Sequence, residues 1–137
     1  MTEQKIRQNI ESSLVLDRLV FEKIEFTRLG FGSDDDLKIE IQSNVSKRAE
    51  ADIYKVALTL KGRKEREFLF EIILTGFFNL EGGANMEDDL KRTLVTRNSV
   101  AIMMPYMRSE VSLLTAQPGM ECVVLPAFNI NKMLDCD

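Results

Sequence analysis

At 137 residues, with 45% apolar and 29% charged residues, the chain has the make-up of a soluble globular protein and fits one domain, able to bury about 70% of the surface its unfolded form exposes. A formal charge of −4 argues against a nucleic-acid surface, which needs clustered Lys and Arg. The complete lack of histidine removes the usual general base, every Ser-His or Cys-His nucleophile and the common zinc ligand sets.

In chain order, the amino-terminal stretch M-T-E-Q-K-I-R-Q-N-I-E lacks the basic-then-apolar layout of a signal peptide, and no apolar run reaches the ~18 residues of a membrane span. A cytoplasmic protein is expected. Ile6 and Ile10 hint at a short helix, with fraying or a strand extension as the alternatives. From about Arg18 to Leu80 the dominant pattern is alternation by two, the mark of strands with one buried face. In L-V-F-E-K-I-E-F, Leu19 and Phe21 take one phase while Ile24 and Phe26 take the other. A slip of one residue inside a strand predicts a bulge.

The second strand sets Leu37, Ile39, Ile41 and Val45 against Lys38, Glu40, Gln42 and Asn44. The third places Tyr54, Val56, Leu58 and Leu60 opposite Lys55, Ala57, Thr59 and Lys61, and G-R-K-E after it is expected to turn the chain into a hairpin. The partner strand carries Phe68, Phe70, Ile72, Leu74, Phe78 and Leu80 on one side. Its other side is half apolar, with Leu69, Ile73 and Phe77 among Glu71, Thr75 and Asn79. A sheet with one wet face has no need of those three.

After E-G-G-A-N the period becomes helical. Asn85 is placed to cap, and Met86, Leu90 and Leu94 fall at i, i+4 and i+8, predicting a short helix. A second, longer helix follows from a cap at Asn98, with Val100, Met103, Met104, Met107, Val111 and Leu114 as its stripe and Pro118-Gly119 as its stop. Pro105 interrupts that helix, deleting a backbone donor and crowding the carbonyl of Ala101, so a kink is expected there. The tail reads as an extended V-V-L, a loop around Pro126 and a terminal helical turn. The whole is a single domain over 1–137 of α+β class: a four-stranded antiparallel sheet followed by two main helices packed on one face.

Chemistry-bearing candidates are few. Asp34 to Asp36 and Asp52 lack the D-x-D-x-D-G spacing of a calcium loop and read as a solvated turn. Cys122 and Cys136 cannot hold a metal cluster alone, so neither a metal nor a cofactor is expected, and no catalytic residue can be named. What stands out is an apolar surplus: Phe31, Phe77, Phe78, Met103, Met104, Met107, Met120 and Phe128. On pattern alone these fit either a core with an oligomer contact or an adaptable, methionine-rich binding surface.

The segment S-V-A-I-M-M-P-Y-M-R-S-E, followed after a turn by L-P-A-F-N-I at Leu125 to Ile130, resembles the signature of the SecB export-chaperone family, a helix with apolar-P-Y-x-R-E and then an L-A-P-V-N-F-like loop. Met104, Pro105, Tyr106 and Arg108 match, Glu110 stands one place late, and the loop keeps Leu125, a proline and Asn129. Phe68, Leu69, Glu71, Gly76, Phe78 and Gly82 similarly follow the family's aromatic-L-x-E-V-x-x-G-G-I-F-x-I-x-G, and D-I-Y-K-V-A-L at Asp52 to Leu58 resembles its D-V-Y-E-V-V-L.

The resemblance implies a SecB-like fold assembled as a homotetramer, a dimer of dimers, that holds unfolded polypeptides without ATP in apolar grooves. By position it puts Phe68 and Tyr106 on aromatic groove sites and Leu37, Ile39 and Ile41 on apolar ones, with Phe31 standing in for the tryptophan of a longer crossover loop. Phe77, Met103 and Met107, from the apolar surplus, complete the expected client-binding set. Phe70, Ile72 and Leu74 fall where the family's strand supports assembly. Leu69 and Glu71 match half of the contact with the SecA motor, while Lys23 and Thr27 occupy the places of its acidic pair, and the chain ends at Asp137 without the family's long carboxy-terminal helix and tail. Some SecB-like proteins instead guard an antitoxin of a toxin-antitoxin pair. A non-chaperone scaffold or hydrophobic-ligand protein is the alternative from another class.

Overall fold

The alternating stretches become four strands: β1 (Leu14–Arg28), β2 (Leu37–Lys47), β3 (Ile53–Lys64) and β4 (Phe68–Leu80). The computed structural model describes residues 14–48, 52–83 and 86–126. The readings at Ile6 and Ile10, Asn85, Phe128, Asn129, Ile130 and Cys136 lie outside the described residues. All pairings are antiparallel, in the order β1-β4-β3-β2, so the most apolar strand is central and β1 and β2 are edges.

Register assigns the faces. Leu58 pairs with Leu74, Leu60 with Ile72 and Tyr54 with Phe78, and these side chains are between 0% and 2% exposed. In β1 the register shifts between Leu16 and Arg18 and again between Phe21 and Lys23. The second shift answers the phase slip in the sequence, because it turns Leu19, Phe21, Ile24 and Phe26 all to the inner side, opposite Gly76, Leu74, Ile72 and Phe70. The hairpin differs from expectation in one respect. G-R-K does not turn; β3 runs on to Lys64, and the reversal falls at Glu65 to Glu67, with Arg66 at φ 66°. Gly62 belongs in the strand because the ring of Phe70 occupies the space a Cβ would need.

The two expected helices are one. Helix α1 runs without a break over Asp88–Thr115, 28 residues. Nothing between Leu94 and Val100 breaks it: Thr93 and Thr96 turn their hydroxyls back to the carbonyls of Asp89 and Arg92, and Asn98 continues the helix instead of capping it. The helix also continues through Pro105, which is exposed on its outer side. Its sheet-facing stripe is Lys91, Val95, Ser99, Met103, Met107, Val111 and Thr115, joined by Val100 and Met104. Leu90, expected in the stripe, is 55% exposed. In its place Lys91 is buried and donates to both carboxylate oxygens of Asp52 (3.2 and 3.4 Å), while Arg92 donates to the Val45 carbonyl, docking the helix start on the end of the sheet.

Candidate functional site

Three surfaces surround this core. The first lies along α1, where the chain reverses at Gln117 to Met120 and returns beside the helix. Thr115 holds the return segment, its Oγ1 donating to the Val111 carbonyl and accepting from the Val123 N–H, both at 2.8 Å. Ser112 donates to the Val123 carbonyl and Arg108 to that of Leu125 (3.1 and 3.2 Å). Between helix and return segment lies a groove of roughly 600 Å³, with Leu113 and Val124 71% and 73% exposed along it and Leu125 buried at its base.

The second is the end of the sheet where β1 finishes. Arg28 Nε donates to the Gly30 carbonyl (2.7 Å), and its Nη2 reaches the carbonyls of Phe31 (3.4 Å) and Gly119 (2.9 Å). The Glu67 carbonyl accepts the N–H groups of Leu29 and Gly30, and its carboxylate accepts from the Ser33 N–H and lies 2.9 Å from Lys64 Nζ. Lys64, then the Ser33 amide, hold the Glu67 carboxyl below the usual glutamate range, against the opposing pull of desolvation. Arg66 closes the arrangement on Asp35. On the loop so held, Phe31 is 96% exposed.

The third is the open face of the sheet. Leu69, Glu71, Ile73, Thr75 and Phe77 of β4 share it with Val20, Lys23 and Glu25 of β1 and with Ala57, Thr59 and Lys61 of β3. Lys23 donates to the Glu71 carboxylate and lies 3.3 Å from Glu25, and Lys61 stands 3.8 Å from the other Glu71 oxygen. The Lys23 hydrogen bond lowers the Glu71 carboxyl and in return raises the Lys23 amine. Thr75 Oγ1 is buried in the middle of this face with no hydrogen-bond partner among the described residues.

The residues expected to bind clients are therefore not one cluster. Phe31 is fully outward and Tyr106 half exposed, at 49%. Leu37, Ile39 and Ile41 are half-buried along edge strand β2 on the helix side, and Phe77 is half-buried on the opposite face. Met103 and Met107 are 0% exposed beneath the helix. Phe68 is buried too, stacked between Phe26 (centroids 5.6 Å apart) and Phe70 (6.1 Å). These three serve the core of the single chain, because a period of 3.6 or 2 marks an apolar face without saying what covers it. The same holds for Phe70, Ile72 and Leu74, expected at an assembly surface: each is 0% or 1% exposed under α1 and offers no side-chain area to a neighbour. Leu69 and Glu71 do share the open face with Lys23 and Thr27. Leu113, Val124 and the Arg28 and Glu67 contacts escaped the sequence reading, since only the return of the chain along α1 and the meeting of three loops give them a role.

Solved structures share this architecture, two of them as follows. The Mycobacterium tuberculosis Rv1957 SecB-like chaperone, solved in complex with a ChAD peptide from the Rv1956 HigA1 antitoxin, superposes with a TM-score of 0.72 at 11% identity, over 94% of this chain and 100% of that one. A protein of unknown function from Streptococcus agalactiae gives 0.54 at 13% identity, over 83% and 97%. No curated protein matches the sequence. At such identities the structural likeness speaks for the fold alone. The sequence itself goes further: the family model described as preprotein translocase subunit SecB matches residues 3–135, and the chain belongs to the SecB family.

Proposed function

We propose that the protein is an ATP-independent holdase chaperone of the cytoplasm, without enzymatic activity, that assembles as a homotetramer and binds extended, apolar segments of unfolded polypeptides. The observation that carries this reading is the exposure of Phe31, Leu113 and Val124 at 96%, 71% and 73% on backbone fixed by hydrogen bonds. With Tyr106 and the β2 edge residues Leu37, Ile39 and Ile41 they offer apolar area that the single chain leaves uncovered. Each large side chain a client buries contributes ~1.5–3 kcal/mol, whatever the client's sequence, and edge strand β2 adds unpaired backbone groups that are equally indifferent to it. Membership of the SecB family supports the same reading.

One observation favours a dedicated client over delivery to the SecA motor. The Glu71 carboxylate, half of the expected SecA contact, is held by Lys23, where the family has an acid, and is approached by Lys61. A client of antitoxin type suits this chain better, in line with the peptide carried by the M. tuberculosis relative. The protein at stoichiometric concentration is expected to slow aggregation of a chemically denatured client without ATP. Equal aggregation with and without it would end the chaperone reading. Sequencing of co-purifying polypeptides would separate the two client classes, since a mixture of secretory precursors instead of one antitoxin would return SecA to the picture.

A further inference from the structure

A chain that needs Phe31 only for stability has no reason to build what surrounds it. The side chain is 96% exposed and buries nothing within the single chain, yet the backbone on both sides of it is fixed. Leu29 and Gly30 donate to the Glu67 carbonyl at 2.8 and 3.1 Å, and Ser33 donates to the Glu67 carboxylate at 3.0 Å. Arg28 donates to the carbonyls of Gly30 and Phe31. The same Nη2 atom of Arg28 also reaches the Gly119 carbonyl, 91 positions away, in the turn that follows α1. Gly30 fits against the Arg66 carbonyl only because it has no side chain; a Cβ there would lie 2.3 Å from that oxygen. Fixing a residue's backbone carries an entropic cost, and the Phe31 side chain buries nothing that would offset it. Such an arrangement is accounted for when the ordering is done in advance for a later contact, so that a bound partner does not bear it.

We propose that Arg28 is a positioning residue for client binding. Its guanidinium fork ties the Phe31 loop to the turn after α1, holding Phe31 outward beside the end of the helix, with Glu67 gripping the loop from the other side. The inference rests on the chaperone reading above and assigns Arg28 no contact with the client. A lysine carries the charge but lacks the fork that meets carbonyls on two loops at once.

The test compares wild type, Arg28→Ala, Arg28→Lys, Phe31→Ala and the double variant Arg28→Ala/Phe31→Ala, using a fluorescently labelled, unstructured apolar peptide as client and amide hydrogen exchange as a second readout. Exchange at Leu29, Gly30 and Ser33 should quicken at least severalfold in Arg28→Ala while the amides of β3 and β4 keep their protection. Peptide affinity should fall about tenfold in Phe31→Ala and several-fold in Arg28→Ala, with Arg28→Lys between Arg28→Ala and wild type. In the double variant, loss of Arg28 should add nothing to the loss of Phe31. Unchanged exchange in Arg28→Ala overturns the proposal, as does a further several-fold loss in the double variant, which would mark Arg28 as a general support of the fold. If the wild type fails to bind peptide, the chaperone reading falls, whereas the exchange experiment still decides whether Arg28 orders the loop.

Discussion

Replacing Gly62 with alanine tests where Phe70 belongs. The new methyl would stand 2.2, 2.4 and 2.7 Å from Cζ, Cε1 and Cε2 of the Phe70 ring, so the ring would have to retreat by more than 1 Å to reach ordinary contact. It has little room to do so, being 1% exposed and stacked on Phe68, which is in turn stacked on Phe26. Overpacking of this kind costs about 1–3 kcal/mol, and the reduced freedom of the unfolded chain returns about 0.4–1 kcal/mol. A net loss of about 1–2 kcal/mol lowers the melting temperature of a chain this size by roughly 3–10 °C. Thermal unfolding followed by circular dichroism measures it, with protein concentrations matched so that assembly does not enter. The particle mass from light scattering should stay as in the wild type, because Phe70 faces the helix of its own chain. Phe70→Leu removes the offending ring edge, so Gly62→Ala should be less damaging in that background than in the wild type. A Gly62→Ala protein as stable as wild type, or strictly additive effects in the pair, would refute the packing reasoning.

Further outcomes are expected elsewhere. Thr75→Val replaces a buried hydroxyl that has no partner among the described residues with a methyl of the same shape, and should raise stability by about 1 kcal/mol in denaturant titration; a loss would mean that the hydroxyl is paired in solution. Pro105→Ala restores the donor missing from the middle of α1 and should stabilise by up to about 3 kcal/mol, and a lower melting temperature would show that the proline shapes a needed bend. The Glu67 carboxyl is lowered from its ordinary 4.5 in the fold, so its contribution is complete above that value and disappears as pH falls through its folded pKa. Glu67→Gln should therefore flatten the acid limb of the stability profile. A variant whose acid limb matches the wild type would assign that limb to other carboxylates.

What could be read in the sequence, and what could not, follows from the kind of signal each feature leaves. Alternation by two located all four strands, and the phase slip between Phe21 and Ile24 foretold a bulge where the register does shift. Neither signal carries strand order or the identity of the covering layer. Both phases of β4 are rich in apolar residues, so Phe70, Ile72 and Leu74 could be placed on a face but not under the helix. Asn98 resembles a cap and so splits the helix in a linear reading, although no Gly or Pro lies between Leu94 and Val100 to favour a break there. Of the candidate site, Tyr106 is named by family likeness and Phe31 by both that likeness and the apolar surplus, and both side chains are exposed, while Met103 and Met107 show that a soft helical stripe is as readily core as surface. The Arg28 and Glu67 contacts leave no mark on a linear pattern, since they join positions from Arg28 to Gly119.

The two register shifts of β1 have a consequence for how this strand tolerates change in length. β1 has 15 residues and its partner β4 has 13, and the difference is the two residues without a register partner, Asp17 and Glu22. With both removed, the remaining β1 residues alternate regularly from Leu14 to Arg28. Each of the two therefore behaves as a single-residue insertion that the edge absorbs locally. Deleting Glu22 closes one bulge and leaves Phe21 and Ile24 facing the helix, whereas deleting Glu25, three positions on, with both bulges kept, sends Leu14, Leu16, Leu19, Phe21 and Ile24 to the open side of the sheet. Two deletions of the same residue type in one edge strand thus have opposite fates, decided by whether the missing residue had a partner across the ladder.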